Sequence, residues 1–437
     1  MKSKLILFGF MLLLLISSKA FAQTDKIYKL EELVNIAFQN NPQLRANDKN
    51  IEASLKQIDY LAKDYQPQIF FDLNISRWKY LLPNKQKLLG NSLNDIYADF
   101  RINQLIYDWD KNSLQKEYVD ESVNIDKNFG RKLRLVLSYS ITKSYLELLK
   151  ANHTVQIQEE AIAQLREHLK NAEALYGIGK VSNLDVIKAQ VQIEVALDEL
   201  VKAKNQLDVQ KNNINARCGN FLGDSFGVVD NIDELWNQYS GKTYNIDELK
   251  SLLAAQHPDL ENIRTQKELR SRESDLLNKE YYPNLYAFGI TNVEDGEIPM
   301  GNFNWNIGVT VSYSLPFFRG SNFKEKVEQA KVRIEALQEN ENGTLQQLEL
   351  NIKNNLVKLE DIKSRLSGNQ KIVKLAEESL TTSNMKYNIG KGSSLDVLDA
   401  ETILTTAKLN YNQIVIDLLT TIAELNYNLG SDELPFN

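Results

Sequence analysis

Cysteine is almost absent from this 437-residue chain, which has only Cys218. No intrachain disulfide can form, so a disulfide-stapled scaffold is excluded. Histidine is nearly as scarce: His153, His168 and His257 are the whole supply, which leaves few soft ligands for a zinc or copper site. Positive charge is in deficit, with 51 Lys and Arg against 58 Asp and Glu and a net charge of −7. Such a surface suits nucleic-acid phosphates poorly. Proline occurs at eight positions, with none between Pro83 and Pro258 or between Pro316 and Pro435. Beyond the N-terminus, no run of apolar residues reaches the ~18 that a transmembrane helix needs. If the chain enters a membrane, it must do so as strands. No glycine-rich phosphate loop follows a strand and no nucleophile-elbow pattern occurs, so nothing points to an enzyme. The remaining composition, 43% apolar and 25% charged, is that of an ordinary folded protein.

Residues 1–22 read as a secretory signal peptide. Lys2 and Lys4 open it, Leu5 to Ile16 form an apolar run, and Ala20-Phe21-Ala22 gives a small-x-small cleavage site. No cysteine stands at the cleavage point, so no lipoprotein anchor is expected. The segment carries three lysines and no acids, so its removal takes the charge from −7 to −10.

The remaining chain is written twice. Glu31-Glu32-Leu33 matches Asp247-Glu248-Leu249, Asn41-Pro42-Gln43-Leu44 matches His257-Pro258-Asp259-Leu260, and Asp64-Tyr65-Gln66-Pro67 matches Glu280-Tyr281-Tyr282-Pro283. Further on, Tyr176-Gly177-Ile178-Gly179-Lys180 matches Tyr387-Asn388-Ile389-Gly390-Lys391, and Leu184-Asp185-Val186 matches Leu395-Asp396-Val397. Units of this length are duplicated halves rather than solenoid repeats. The first repeat covers 23–219, a linker 220–243 joins it to the second at 244–430, and 431–437 form a tail.

The proline-free stretches suit long helices. Leu133, Val136, Leu137, Ser140, Ile141, Ser144, Tyr145, Leu148 and Leu149 recur at spacings of three and four, as do Ala161, Leu165, Leu169, Ala172 and Tyr176. Narrow stripes of this kind are coiled-coil seams. The spacing predicts long helices over about 111–176 and 322–387, with shorter returning helices over 183–218 and 394–430. A further helix, about 41–66 or 257–282, precedes a strand pair in each half: 68–80 with 95–108, and 284–293 with 304–315. In the last of these, Trp305, Ile307, Val309, Val311 and Tyr313 alternate with polar or small residues. Alternation fits a half-buried soluble sheet or a membrane strand with a wet inner face. Trp305 and Tyr313 favour the membrane, since eight tilted residues span roughly 20 Å and place one aromatic at each interface. Four strands cannot close a barrel in lipid, so such a barrel must be shared between chains.

Individual reactive residues carry little. Cys218 has Leu429 as its repeat partner, which argues for packing rather than nucleophilic duty. His153 and His168 lie fifteen residues apart on one predicted helix, roughly 22 Å, too far to share a metal. His257, before Pro258 at a helix start, reads as a surface or capping residue. The turns are more informative. Ser182-x-x-Asp185 and Ser393-x-x-Asp396 are both capping-box-like. Asp399 lies on the same helix face as Asp396 and has Lys188 as its repeat partner, so capping does not explain it. Around a symmetry axis, Asp396 and Asp399 would form stacked carboxylate rings that attract cations; otherwise they belong to a solvated helix face.

The duplicated arrangement, and above all Tyr387-Asn388-Ile389-Gly390-Lys391-Gly392-Ser393-Ser394-Leu395-Asp396-Val397-Leu398-Asp399-Ala400, resembles the TolC-type outer membrane efflux proteins (outer membrane factors) over nearly all of the chain past the leader. The resemblance implies a mainly α fold with a membrane β part: a long helical coiled-coil barrel and a shared β-barrel, four strands per chain and twelve in a homotrimer. It implies a passive exit duct in the bacterial outer membrane with a periplasmic tunnel, docked to a periplasmic adaptor (membrane fusion) protein and an inner-membrane transporter, with no cofactor. The adaptor-contacting tip would be Ile178, Gly179, Lys180, Ser182, Ile389, Gly390 and Ser393. Asp396 and Asp399 take the ring positions of the gate, and Tyr387 and Asp185 those of a latch. Lys180 and Lys391 stand where an apolar residue is usual, and Gly392 where a latch arginine is often found. The competing expectation is a periplasmic coiled-coil adaptor without a pore.

Overall fold

The computed structural model describes residues 26–79, 92–223, 226–230, 232–239, 241, 243–295, 301–313 and 322–431; the expected leader lies outside the described residues. The elements are β1 (Lys26–Tyr28), α1 (Leu30–Asn40), α2 (Pro42–Leu61), β2 (Gln68–Lys79), β3 (Ser92–Tyr107), α3 (Lys111–Gly177), α4 (Asn183–Arg217), β4 (Phe226–Val228), α5 (Ile232–Tyr239), α6 (Ile246–Gln256), α7 (Pro258–Lys279), β5 (Asn284–Asp295), β6 (Asn302–Ser312), α8 (Asn322–Asn388) and α9 (Ser394–Leu429). The chain is mainly α, and its two halves repeat the order helix, strand pair, long helix, return helix. Prolines punctuate it where the sequence places them: Pro42 and Pro258 open α2 and α7, while Pro67 and Pro283 precede β2 and β5.

Two compact units cut across the repeats, each drawing corresponding parts from both. One takes the chain up to Arg45 with Lys132–His257 and the part from Gln347 onward; the other takes Ala46–Arg131 with Pro258–Gln346.

The second unit holds an antiparallel sheet in the order β2-β3-β5-β6. Its register fixes two chemically distinct faces. Phe71 pairs with Phe100, Phe100 with Thr291, and Thr291 with Trp305, so these share one face. The same side carries Ile69, Leu73, Ile75, Phe303, Ile307, Val309 and Val311, all well exposed. One residue along, Asp72, Asp99, Asn292 and Asn304 line up across all four strands on the opposite face. A slip of one residue would exchange the two faces. Gly308 sits opposite Phe288, where a Cβ would come within 2.9 Å of the ring, so a larger residue would require the Phe288 ring to move. β2 and β6 are each paired on one side only among the described residues.

The turn from β3 into α3 is built by side chains. Asp108, buried, accepts from the Asn112 N–H at 2.8 Å and from Tyr65 Oη at 2.5 Å. Burial, with Asp108 next to it, pushes the Tyr65 phenol up to about 12. Trp109 and Asp110 take left-handed backbone angles, φ 59° and 65°, that non-glycine residues seldom adopt. Trp109 holds its place by stacking on Tyr282, and its carbonyl accepts from Lys279 Nζ at 3.0 Å.

In the first unit β1 and β4 pair in parallel, with Tyr28 edge-on to Phe226. Tyr145 of α3 donates to the Val229 carbonyl at 2.5 Å, and His153 meets Asp230 at 2.5 Å, so the segment between the halves is tied to α3. That segment, expected as a linker or equatorial segment, carries β4 and α5. The core is supplied by Leu33, Val34 and Ala37 of α1, by Ile141, Tyr145, Leu148 and Leu149 of α3, and by a long buried stretch of α9 from Ile414 to Leu425. Cys218 caps α4, fully buried, with its thiol pushed up to about 11 by desolvation and its Sγ 3.6 Å from the Leu33 carbonyl. His257 closes α6 through its N–H on the Leu253 carbonyl, and it is buried rather than at the surface.

Candidate functional site: the hairpin tips and the helices behind them

Both helical hairpins, α3–α4 and α8–α9, turn in the same way. At the first tip the Lys180 N–H reaches back to the Leu175 carbonyl at 2.9 Å and the Gly179 N–H to Tyr176 at 2.8 Å. At the second, Lys391 reaches Lys386 at 2.8 Å and Gly390 reaches Tyr387 at 2.9 Å. This six-to-one, five-to-two pattern is a Schellman turn, which requires a left-handed residue at its corner. Gly179 and Gly390 supply it, with φ of 73° and 75°. The residues just before them, Ile178 and Ile389, are 66% and 64% exposed, and Lys180 and Lys391 project beside them. Each tip therefore presents one aliphatic and one ammonium side chain on a fixed turn.

Behind the tips the two repeats diverge. Ser393 forms a complete capping box: its Oγ accepts from the Asp396 N–H at 3.2 Å, and Asp396 Oδ2 accepts from the Ser393 N–H at 3.0 Å. That backbone bond holds the Asp396 carboxyl below the usual range. Ser182 makes no such side-chain bond to the start of α4. Asp396 and Asp399 are both exposed on α9. Capping accounts for Asp396 but not for Asp399, as the spacing suggested.

Tyr387, the expected latch tyrosine, is 1% exposed in an apolar cluster with Ala172, Val186, Ala376, Leu380, Val397, Ala400, Leu404 and Ala407. Its ring lies 4.8 Å from that of His168, and its hydroxyl finds no hydrogen-bond partner among the described residues. Burial first, and then the nearby Asp185 carboxylate, push its phenol up. Asp185 is thus an electrostatic neighbour of Tyr387 rather than a hydrogen-bonded one. His168 Nε2 instead meets Ser394 Oγ at 2.9 Å. Gly392 is pressed against the end of α8: a Cβ there would lie 3.0 Å from Lys386 Cβ and 3.1 Å from the Tyr387 backbone nitrogen. An arginine at that position has no room in this conformation.

Sequence reasoning missed one group. Glu401 of α9 is 4% exposed, and burial raises its carboxyl to about 7. The signal was present: Glu401 stands four residues after Val397 and three before Leu404, a core position in that stripe. In the sheet, Trp305 is 70% and Tyr313 49% exposed, and Trp305 shares the apolar face. Among the described residues there is no cluster of three or more His, Cys, Asp or Glu able to hold a metal. No described helix is long and apolar enough to cross a membrane.

Comparison with known proteins agrees with this architecture. The family model described as "Outer membrane efflux protein" matches residues 33–220 and 249–431, one match per repeat. Outer membrane protein TolC of Salmonella enteritidis is 20% identical over 95% of this chain and 84% of its own. TolC of Escherichia coli (strain K12) is 21% identical over 94% of this chain and 85% of its own. The solved structure of the Campylobacter jejuni CmeC outer membrane channel superposes with a TM-score of 0.73 at 18% identity, covering 92% of this chain and 85% of that one. The match in both repeats is to outer membrane efflux proteins, and it favours that family over the competing periplasmic adaptor reading. The helical hairpins, the four-stranded sheet and the twofold match lead to one conclusion: the chain belongs to the outer membrane efflux protein family.

Proposed function

We propose that this chain is the outer membrane duct of a tripartite efflux or secretion system. The observation that carries the reading is the four-stranded sheet, apolar on one face and polar on the other, whose β2 and β6 each have an unpaired edge among the described residues. Open strand edges are not tolerated in hydrocarbon, because unsatisfied backbone groups there cost several kcal/mol each. Copies of the chain must therefore close the sheet, and three copies give a twelve-stranded barrel. The apolar face with Trp305 and Tyr313 meets lipid, and the row Asp72, Asp99, Asn292, Asn304 lines the lumen. Residues 1–22 direct export and are then removed.

The helical hairpins continue the duct into the periplasm. Ile178, Gly179, Lys180 and Ser182 at one tip, with Ile389, Gly390 and Ser393 at the other, meet a periplasmic adaptor that links the duct to an inner-membrane transporter. Asp396 and Asp399, exposed on one helix, form the carboxylate rings of the constriction. Tyr387 and Asp185 stand behind them as the latch. The duct does no chemistry of its own, and opening is a repacking of helices at the tip.

The test is cross-linking and conductance on the purified mature protein. Lysine cross-linking in detergent should trap a trimer, and a carbonate wash should leave the protein in the membrane. In bilayers, Asp396→Asn with Asp399→Asn should raise conductance or abolish block by multivalent cations. Unchanged conductance and block in the double variant would reject these aspartates as the constriction.

A further inference from the structure

Four polar contacts join α3 to α9 where apolar packing alone would serve. From the tip inward, His168 meets Ser394 at 2.9 Å, Gln164 meets Glu401, Glu160 meets Lys408 at 2.9 Å, and Asn412 donates to the Lys150 carbonyl at 3.1 Å. Ser394, Glu401 and Lys408 are spaced by seven residues, the coiled-coil repeat, so they follow one seam. Polar groups at seam positions fix register at a cost in stability. Three of them, Ser394, Glu401 and His168, are at least nine-tenths buried.

Glu401 is the unusual member. A carboxylate this deep needs a cation, and among the described residues none forms an ion pair with it. Lys408, on its own helix, is bonded to Glu160 instead. On α3 the charged or titratable groups of this seam are Glu160 and His168. In the adjoining clusters α4 contributes the apolar Val186, Ile193 and Ala196, while α8 contributes Ala376, Leu380 and the titratable Tyr387, whose ring lies against His168. Asp185 of α4 acts electrostatically on both His168 and Tyr387. What faces the carboxyl directly is the Gln164 amide and, at 3.5 Å, the Thr405 hydroxyl. An amide can answer either form: its nitrogen donates to a carboxylate at 3.1 and 2.5 Å when turned one way, and its oxygen accepts from a protonated acid when turned the other.

We infer that Glu401, read by Gln164, makes the packing of the second hairpin against α3 proton-dependent, so that the seam behind the tip is tight when Glu401 is protonated and loosens when it ionises. This rests on the proposed gate, because α9 carries both Asp396 and Asp399.

The packed seam holds the Glu401 proton up to about 7, against 4.5 for a solvated glutamate. A group whose acid is favoured by packing contributes fully below the solvated value, and its contribution fades between 4.5 and 7. Tightness of the seam should fall by about 70-fold between about pH 5 and about pH 8 on this group alone. His168 acts oppositely. Burial lowers its pKa below 6.5, with Asp185 pulling the other way, so it favours the packed seam when neutral and weakens it as the pH falls. The seam is therefore tightest on the mildly acidic side of neutrality.

Hydrogen exchange on the folded protein in detergent tests this without requiring a pore. Protection of amides in 155–170 and 394–410, corrected for intrinsic rates, should drop from about pH 6 to about pH 8 in the wild type. Glu401→Gln, which keeps the shape of the protonated acid, should abolish that drop and leave only the His168 trend of opposite sign. Gln164→Leu removes the donor to the carboxylate and should move the wild-type midpoint upward. The same decline in Glu401→Gln as in the wild type would overturn the inference, as would an unmoved midpoint in Gln164→Leu. A seam that responds as described in a protein giving no conductance would leave this inference standing and defeat the pore instead.

Discussion

At the scale of single residues, the two repeats look equivalent in sequence and differ in chemistry. Ser182 and Ser393 occupy matching positions, yet only Ser393 caps its helix through the side chain. Ser393→Ala should therefore cost about 1 kcal/mol of local stability, and Ser182→Ala much less. Hydrogen exchange in the first turns of α9 and α4 would read the difference; equal effects would contradict the asymmetry. The tip glycines separate in a similar way. Gly390 is needed for its backbone angle alone, since a Cβ there would meet nothing within 4 Å. Gly390→Ala should cost about 1–2 kcal/mol in a turn that keeps its shape. Gly392→Ala collides with backbone and should shift the turn itself, seen as lost protection of the Lys391 amide. Cys218, buried and hard to ionise, should stay unreactive to a thiol reagent until the protein unfolds. Rapid labelling of the folded protein would contradict its burial. Much at this scale was legible. The glycine corners follow from local sequence, but the capping motif does so only in part: the pattern stands at both Ser182 and Ser393, and only Ser393 forms the side-chain bond. Glu401 stood at a core position of its own stripe and went unread, whereas the His168–Ser394 bond could not be foreseen, since it depends on which face of α3 meets α9 across more than two hundred residues.

At the scale of elements, proline spacing and apolar periodicity locate the long helices well, because both are local consequences of a helix that buries a narrow stripe. The strands are legible from alternation in β6, where Trp305 to Val311 point one way, and less so in β5, where Gly289, Ala287 and Thr291 dilute the apolar face. Short elements escape notice. β1 and β4 are three residues each and find their strand partner only in the other segment, so no local pattern announces them. The two faces of β6 make an opposed pair of expectations. Val309→Arg places a charge on the face proposed to meet lipid and should cost about 2–4 kcal/mol near the membrane centre, seen as failed insertion. Thr310→Arg, one residue along on the lumen side, should insert normally and lower cation preference. Equal insertion of both variants would contradict the assigned faces.

At the scale of the whole molecule, the duplication explains how one chain supplies two hairpins and two strand pairs whose matching parts pack together in two units. Among the described residues each half supplies two strands to the four-stranded sheet, so the proposed barrel calls for further copies of the chain. In the sequence, no catalytic motif pointed to an enzyme and no apolar run beyond the N-terminus was long enough for a transmembrane helix; the duplicated turn motif then favoured a duct over a periplasmic adaptor. The direct test of that account is single-channel recording from the purified, folded mature protein in a planar bilayer. The account predicts discrete steps with a preference for cations. A protein shown to be trimeric and inserted that gives no steps under any condition would contradict it.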